Sequence, residues 1–152
     1  MFRQENDLEK INRHQEKETR LQELAAAQFA RWNQALLSRD PHMVASLYSP
    51  EASFLPTLNP EFKNGQPGAE EYFHHFLEKN PEGKVVAEAV QEVASDQSGN
   101  TAAFLHSGLY DFLVGPAEQR GTAEARFTFL WQKDENGDWK IRHHHSSLKP
   151  VA

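Results

Sequence analysis

The chain contains no cysteine, an excess of acidic over basic residues, and no long apolar run. Without cysteine there can be no disulfide scaffold, thiol nucleophile, zinc ribbon or cysteine-ligated iron–sulfur site. Lys and Arg total 16 against 22 Asp and Glu, and the resulting net charge of −6 argues against a nucleic-acid binder. No stretch approaches the roughly 18 apolar residues of a membrane-spanning helix. Residues 1–20 also lack the apolar core of a secretory signal, so we expect a soluble, cytoplasmic protein.

The length of 152 residues predicts one domain with a substantial core. Residues 3–20 are nearly all charged or amide side chains, with Leu8 and Ile11 as their large apolar groups. Such a composition is compatible with an exposed helix and equally with a disordered leader. We therefore expect a charged leader over residues 1–20 and a single α+β domain over residues 21–150.

Helical signals dominate the first half of that domain. Apolar residues recur at helical spacing from Leu21 to a stop near Ser38. A second helix is expected from the Asp40-Pro41 start signal to Ser49-Pro50, and a third over residues 69–79. A short strand over residues 52–55 separates the second helix from the third.

Strand signals dominate the second half. Apolar runs over residues 85–93, 101–114, 122–133 and 139–147 are separated by short turns rich in Gly, Asn, Asp and Pro. Four long strands joined in this way predict an antiparallel meander. Helices segregated from such strands indicate an α+β fold with the helices on one face of the sheet.

Two of these strands carry apolar residues on both faces. Phe104 and Phe112 share one face of residues 101–114, whereas Leu105 and Leu109 share the other. A meander with one solvated face should alternate cleanly between apolar and polar residues. The pattern predicts that a second subunit covers the outer face, so we expect a homodimer at least.

The histidine run 143–145 is the most unusual local feature. In a strand, His143 and His145 share one face and His144 takes the other. Two histidines at this spacing could hold a metal if a third ligand, such as His106, approached. No carboxylate stands beside the run, so we expect neither a metal nor another cofactor, and hydrogen-bonded imidazoles at a sheet surface or subunit interface instead.

Several polar side chains occupy positions of the meander that can face inward. His106 and Tyr110 share the face of Phe104, whereas Asp111 lies on the opposite face and cannot form an Asp–His pair with them in a regular strand. Arg126 in mid-strand needs a carboxylate from the protein or from a ligand if it is buried. We expect a ligand-binding pocket lined by Tyr48, Phe54, His106, Tyr110, Arg126, His144 and Ser146.

This assignment assumes regular strands. A single bulge would turn His144 and Ser146 outward and bring His143 and His145 in.

The C-terminal third carries a family resemblance. The segments Arg126-Phe127-Thr128-Phe129, Asn136-Gly137-Asp138-Trp139-Lys140-Ile141 and His143-His144-His145-Ser146-Ser147 resemble the association (hub) domain of calcium/calmodulin-dependent protein kinase II. They are most similar to stand-alone bacterial relatives of that domain, within the nuclear transport factor 2-like superfamily. The resemblance covers about residues 20–150 and includes Trp32, Tyr48 and Phe54.

The resemblance implies a cone-shaped fold of three helices over a highly curved, mostly antiparallel sheet, here with an extra charged N-terminal helix. It also implies dimers paired through the outer face of the sheet, which in the kinase assemble further into rings. Kinase activity is not implied, because neither a kinase domain nor a calmodulin-binding segment fits in this chain.

The chain departs from the kinase hub at the arginines that line the hub pocket. His106 stands where the family has an arginine in the strand over residues 101–114, and Ser146 replaces another arginine in the last strand. Arg126 matches the remaining one only with a shift in register. A pocket that binds carboxylates in the manner of the kinase hub is therefore not expected.

Three functional hypotheses follow. The leading one is a non-catalytic, homo-oligomeric hub-like protein with a pocket for an unidentified small molecule. The second is a cofactor-independent enzyme of the isomerase, cyclase or dehydratase type, with His106 or His144 as base and Tyr110 or Arg126 polarising a carbonyl. The third is an accessory domain that docks a partner protein through residues 1–20.

Overall fold

The computed structural model describes residues 4–151. Within this range the chain forms three α-helices, one 3-10 turn and six strands. The helical elements are α1 (Asp7–Leu37), α2 (Pro41–Ala45), α3 (Gly65–Phe76) and the 3-10 turn Leu77–Lys79. The strands are β1 (Tyr48–Leu55), β2 (Lys63–Asn64), β3 (Glu82–Ser95), β4 (Thr101–Val114), β5 (Gly121–Lys133) and β6 (Trp139–Leu148).

The strands form one mixed sheet in the order β2-β1-β6-β5-β4-β3. All neighbouring strands are antiparallel except β1 and β6, which run parallel. The last four strands form the predicted meander, and the bounds of β4 are those expected from the sequence. The predicted α+β fold, with three helices and a mostly antiparallel sheet, is confirmed.

Helix α1 is continuous over 31 residues, so the charged segment is its exposed first half rather than a separate helix. The helix begins with a capping box, in which Asn6 accepts from the Glu9 backbone and the Glu9 side chain accepts from the Asn6 backbone. Lys17 in the exposed half reaches Glu92 of β3 at 2.8 Å. The first three residues of the charged segment lie outside the described range.

The second helix is shorter than the sequence predicts. It ends at Ala45, and Tyr48 belongs to β1 rather than to the helix. The physical reason is backbone pairing with the last strand, because Ile141 donates from its N–H to the Leu47 carbonyl at 2.7 Å. This pairing replaces the helical bonds that residues 47–50 would otherwise make.

The third helix begins four residues before the expected position, at Gly65. Gly65 has a φ of +64°, and a Cβ at this position would lie 2.9 Å from the Pro50 carbonyl oxygen. Glycine therefore provides both the backbone conformation and the clearance that let α3 start against β1.

The helices pack against one face of the sheet, here called the inner face. Trp32, Leu36 and Val44 are fully buried there. The strands add Phe104, Tyr110, Phe112, Ala125, Phe127, Phe129, Trp131 and Ile141 to the same core. No helix within residues 4–151 is long and apolar enough to cross a membrane.

Candidate functional site

A bulge in β6 decides which histidines face inward. Trp131 pairs with Ile141 and Leu130 pairs with His143, which leaves Arg142 as an extra residue in β6. The bulge lies before the histidine run, so it lets Ile141 and His144 both point to the inner face. Regular alternation from the inward Ile141 would turn His143 and His145 inward, but the extra residue Arg142 places His144 inward and leaves His143 and His145 on the outer face.

His144 lies at the centre of the inner face and is 2% exposed. Its Nδ1 is 2.8 Å from Tyr48 Oη and its Nε2 is 3.3 Å from Tyr110 Oη. The imidazole is stacked between the rings of Phe54 and Phe129, with centroid distances of 4.8 and 4.0 Å. Both nitrogens and both ring faces are thus occupied by protein groups.

The hydrogen bonds assign the tautomer of His144. Trp32 Nε1 is a donor only, and it donates to Tyr48 Oη at 3.3 Å. Tyr110 donates its own proton to Ser146 Oγ, so Tyr110 Oη accepts from His144 Nε2, and the neutral ring accepts the Tyr48 proton at Nδ1. The proton of the ring is then on Nε2, which donates to Tyr110 Oη, and Tyr110 donates in turn to Ser146 Oγ.

Burial keeps all three ring groups neutral. Burial lowers the pKa of His144 well below its usual range, with smaller contributions from the nearby His143 and His145. It also raises the pKa of the Tyr48 and Tyr110 phenols. An uncharged network with every member paired is stable in a core, whereas an imidazolium there would lack a counter-charge.

A small cavity adjoins this network. Its volume is about 10 Å³, close to the room required by one water molecule. Ser146 Oγ and Thr57 Oγ1 are hydrogen-bonded at its wall, and Tyr72 Oη donates to the Thr57 carbonyl at 2.8 Å. The sequence predicts a ligand-binding pocket here, and the structure shows an interior that aromatic side chains nearly fill.

His106 is buried on the inner face but does not line that cavity. Its ring packs edge-on against Phe127 at 5.0 Å, and its Nε2 lies 3.4 Å from Glu88 Oε2. Burial lowers the pKa of His106, while Glu88 acts in the opposite direction. Nδ1 has no hydrogen-bond partner among the described residues. His106 and His144 are therefore two separate buried sites rather than one catalytic set.

Arg126 was predicted to line the pocket, and the structure places it elsewhere. Its neighbours Ala125 and Phe127 face inward, so strand alternation turns Arg126 to the exposed outer face. The carboxylate of Glu88 on β3 contacts His106. Within residues 4–151, Arg126 has no ion pair. It cannot polarise a substrate bound beside His144.

The structure brings Tyr48, Phe54, Tyr110, His144 and Ser146 together as predicted. Besides the residues expected in the pocket, the cavity is lined by Trp32, Thr57, Tyr72, Phe73, Phe76 and Phe112. The indole of Trp32 was recognisable as a buried helix position, but its bond to Tyr48 required the tertiary structure. Thr57 lies after β1 in an irregular segment, where no sequence period indicates its direction.

The three histidines considered as metal ligands do not converge. His106 faces inward, whereas His143 and His145 face outward. His143 Nδ1 instead lies 2.7 Å from Ser53 Oγ of β1. No group of three potential metal-ligating His, Asp or Glu side chains occurs in the part of the chain that the structure describes.

The outer face of the sheet carries small and apolar side chains without a covering helix. Leu105 lies opposite Leu130, and Ser107 lies opposite Thr128 in the next outward row. Leu109 follows, between Ala87 of β3 and Arg126 of β5. These outward-facing residues of β3–β6, from Leu105 and Leu130 to Leu109 and Arg126, are called the outer sheet face below.

Comparison with known families identifies a match over most of the chain. The model of the calcium/calmodulin-dependent protein kinase II association domain matches residues 20–150. No curated protein sequence gives a significant match.

Solved structures similar to this chain agree with the family match. A protein from Xanthomonas campestris, named as a candidate association domain of this kinase, is 33% identical, with a TM-score of 0.76. The alignment covers 84% of this chain and 87% of that one. A nuclear transport factor 2-like protein from Salmonella enterica is 20% identical over 88% and 94% of the two chains, with a TM-score of 0.69. A candidate dehydratase from Streptomyces avermitilis is 16% identical over 88% and 98%, with a TM-score of 0.68. The last two likenesses concern the fold alone.

Proposed function

Because the chain belongs to the calcium/calmodulin-dependent protein kinase II association domain family, we propose that it is a non-catalytic, self-associating protein. The outer sheet face is the surface through which two copies pair. The observation that carries this proposal is the pair Leu105 and Leu130, which lie side by side on a sheet face with no helix over it. Within residues 4–151, the helices cover the inner face and leave the outer face open.

The chemistry of the outer sheet face suits a second sheet. Ala87, Ala89, Ser107 and Thr128 form its middle, and such short side chains allow close approach of two backbones. The leucines on either side provide apolar area that association would remove from water. Sheets that pack face to face lie about 10 Å apart, and interdigitating leucines fill that distance.

The size of the face is also sufficient. Four strands spaced at about 4.8 Å, with about 3.3 Å per residue, span roughly 19 by 40 Å. That is about the 800 Å² per partner of a standard stable interface. Assembly of such dimers into a larger ring is a further possibility of the same family.

The test of this function is to place a charge on the face. We expect Leu130→Arg to shift the protein from dimer, or a multiple of it, to monomer in sedimentation velocity experiments, because an unpaired guanidinium would be buried against the partner. Leu58→Arg is the matched control, since Leu58 is 63% exposed and lies outside the sheet. An unchanged oligomer in Leu130→Arg, with its fold intact, would refute the proposed interface.

An enzyme of the isomerase, cyclase or dehydratase type is the second candidate. It is favoured by one observation, the neutral His144 with an accepting Nδ1 beside two phenols. Against it stands the cavity of about 10 Å³, which a substrate could enter only after aromatic side chains moved. Turnover of ketosteroid-like or polyketide-like substrates that is lost in His144→Gln and kept in His106→Gln would support this candidate. Equal turnover in both variants would remove it.

A further inference from the structure

One wall of the inner cavity belongs to an irregular segment. Residues 56–62 join β1 to β2 and are called the 56–62 loop below. Of the residues that line the cavity, Thr57 alone lies outside the helices and strands of the described chain. Every other part of the wall can move only together with a helix or with a strand of the sheet. The loop is therefore the wall whose displacement disrupts the least secondary structure.

Side-chain bonds hold the loop at the cavity. No backbone–backbone hydrogen bond joins residues 57–62 to another element in the described part of the chain. Instead, Tyr72 Oη on α3 donates to the Thr57 carbonyl at 2.8 Å, and the Thr57 hydroxyl is hydrogen-bonded to Ser146 Oγ on β6. These two bonds, here called the Thr57 latch, keep the loop closed over the cavity.

An ion-pair cluster holds the other end of the loop. The Lys63 ammonium lies 2.9 Å from the Glu61 carboxylate and 2.9 Å from the Glu71 carboxylate on α3. Opening of the loop separates Glu61 from Lys63, whereas Glu71 stays with its helix. The buried Lys63 thus keeps one counter-charge in the open state, so opening does not leave an unpaired buried cation.

The closed loop is also strained. Leu58 has a φ of +63°, in the left-handed region that is unfavourable for a residue with a Cβ. Leu58 is 63% exposed and Phe62 is 57% exposed, so neither apolar side chain anchors the loop in the core. A strained segment with few buried apolar contacts is expected to open more readily than the helices and strands around it.

The lining of the cavity determines what an open loop would admit. No Asp, Glu, Lys or Arg among the described residues lines it; the walls are aromatic rings, His144 and the hydroxyls of Thr57 and Ser146. An ion would lose its hydration there without gaining a counter-charge, whereas an uncharged molecule with a hydroxyl can bond to Ser146 after Thr57 has moved away. We propose that the 56–62 loop is a lid on the inner cavity, and that its opening admits compact, uncharged molecules to Ser146.

The absence of cysteine allows a direct test. Ser146→Cys places a single thiol on the cavity wall of the full chain, and its rate of modification by the neutral reagent methyl methanethiosulfonate rises with the population of the open lid. Tyr72→Phe keeps the ring but removes the donor to the Thr57 carbonyl, so adding it should raise this rate by about threefold or more.

A second thiol position separates lid opening from general loosening of the fold. Ser49→Cys is the matched reporter, because Ser49 is also buried but does not line the cavity. Adding Tyr72→Phe should leave the modification rate of this thiol unchanged. An unchanged rate at Ser146→Cys, or an equal acceleration at both thiols, would overturn the lid.

Glu61→Gln tests the ion-pair end of the loop without touching the core, since the Glu61 side chain is 65% exposed. It should raise the modification rate of Ser146→Cys by about twofold. Glu78→Gln, which removes an exposed carboxylate from the 3-10 turn, is its control and should have no effect. Equal rates in the two variants would show that the ion pairs do not hold the lid.

An anionic reagent tests the class of molecule admitted. Relative to their rates with free cysteine, methyl methanethiosulfonate should modify Ser146→Cys at least about tenfold faster than its sulfonatoethyl analogue. Equal relative rates would contradict the selectivity for uncharged molecules. Each copy of the chain contains the whole cavity and its lid, so these results are separate from the test of self-association.

Discussion

The two faces of the sheet differ in how completely their side chains are packed and hydrogen-bonded within one copy of the chain. On the inner face, aromatic rings and a paired His144–Tyr48–Tyr110 network leave a cavity of about 10 Å³. On the outer face, Leu105 and Leu130 lie side by side, and no helix or strand of the described residues covers them. The inner face therefore stabilises the monomer, and the outer face is the surface that we propose for self-association. Substitutions on the inner face should mainly lower the free energy of unfolding. Substitutions on the outer face should mainly weaken self-association.

The largest loss of stability is expected from Trp32→Ala. Trp32 is fully buried, stacks with Tyr110 at 6.2 Å and meets Phe129 edge-on at 5.2 Å. Its removal should lower the free energy of unfolding by about 3–5 kcal/mol, because it leaves a cavity among rigid rings. Urea denaturation followed by circular dichroism measures this. A loss below about 1 kcal/mol would show that the inner face is not the main source of stability.

The next largest loss of stability is expected at His144, and the adjacent His145 serves as its comparison. His144→Ala leaves the Tyr48 and Tyr110 hydroxyls without their ring partner, and should cost about 2–3 kcal/mol of unfolding free energy. His145→Ala is the matched control, since His145 is exposed on the other face, and should change stability by about 0.5 kcal/mol or less. Similar losses in the two variants would contradict the assignment of faces to the histidine run.

The pH dependence of stability also distinguishes the buried His144 from the exposed His145. The pKa of His144 lies well below 6.5 in the folded state because burial disfavours the imidazolium. At a pH between that value and 6.5, the unfolded chain binds a proton at His144 that the folded chain does not bind. The contribution of His144 to the free energy of unfolding is therefore fully present above pH 6.5 and is lost as the pH falls below it.

The slope contributed by His144 should approach about 1.4 kcal/mol per pH unit, and the low pKa of the buried His106 adds to it. Denaturation of the wild type and of His144→Gln at pH 7 and 5.5 tests this. The variant should lose part of the slope, whereas His145→Gln should keep it. A wild-type stability that rises on acidification would show that His144 is charged in the fold.

The smallest effect on folding is expected on the outer face. Leu130→Ala should lower the free energy of unfolding of the monomer by less than about 1 kcal/mol, since Leu130 lies on a face with no element above it. The same substitution should weaken self-association, which a dilution series in sedimentation experiments would detect. A large loss of monomer stability without a change in association would reverse the proposed roles of the two faces.

Strand alternation was sufficient to predict much of the inner face. Phe104, His106, Tyr110 and Phe112 share it because β4 pairs with β5 without a register shift from Ala103 to Val114, so alternation fixes their directions. The same rule should have excluded Arg126, whose neighbours Ala125 and Phe127 are apolar. The charge of Arg126 would suit a ligand carboxylate, but its position in the strand turns it to the outer face.

The remaining features depend on long-range contacts. The bulge at Arg142 arises where β6 pairs with β5 on one side and β1 on the other, and no local signal marks it. The early end of α2 likewise follows from the bond between Ile141 and Leu47, which are far apart in sequence. The filling of the cavity depends on the packing of rings from α1, α3 and three strands, which periodicity does not specify.

Native mass spectrometry of the wild-type protein, without added ligand, tests the central claim most directly. Self-association through the outer sheet face predicts masses at twice the 17.4 kDa of the chain, or at multiples of that dimer. A single species at 17.4 kDa, at protein concentrations of tens of micromolar, would contradict the account and leave the outer face without a partner copy.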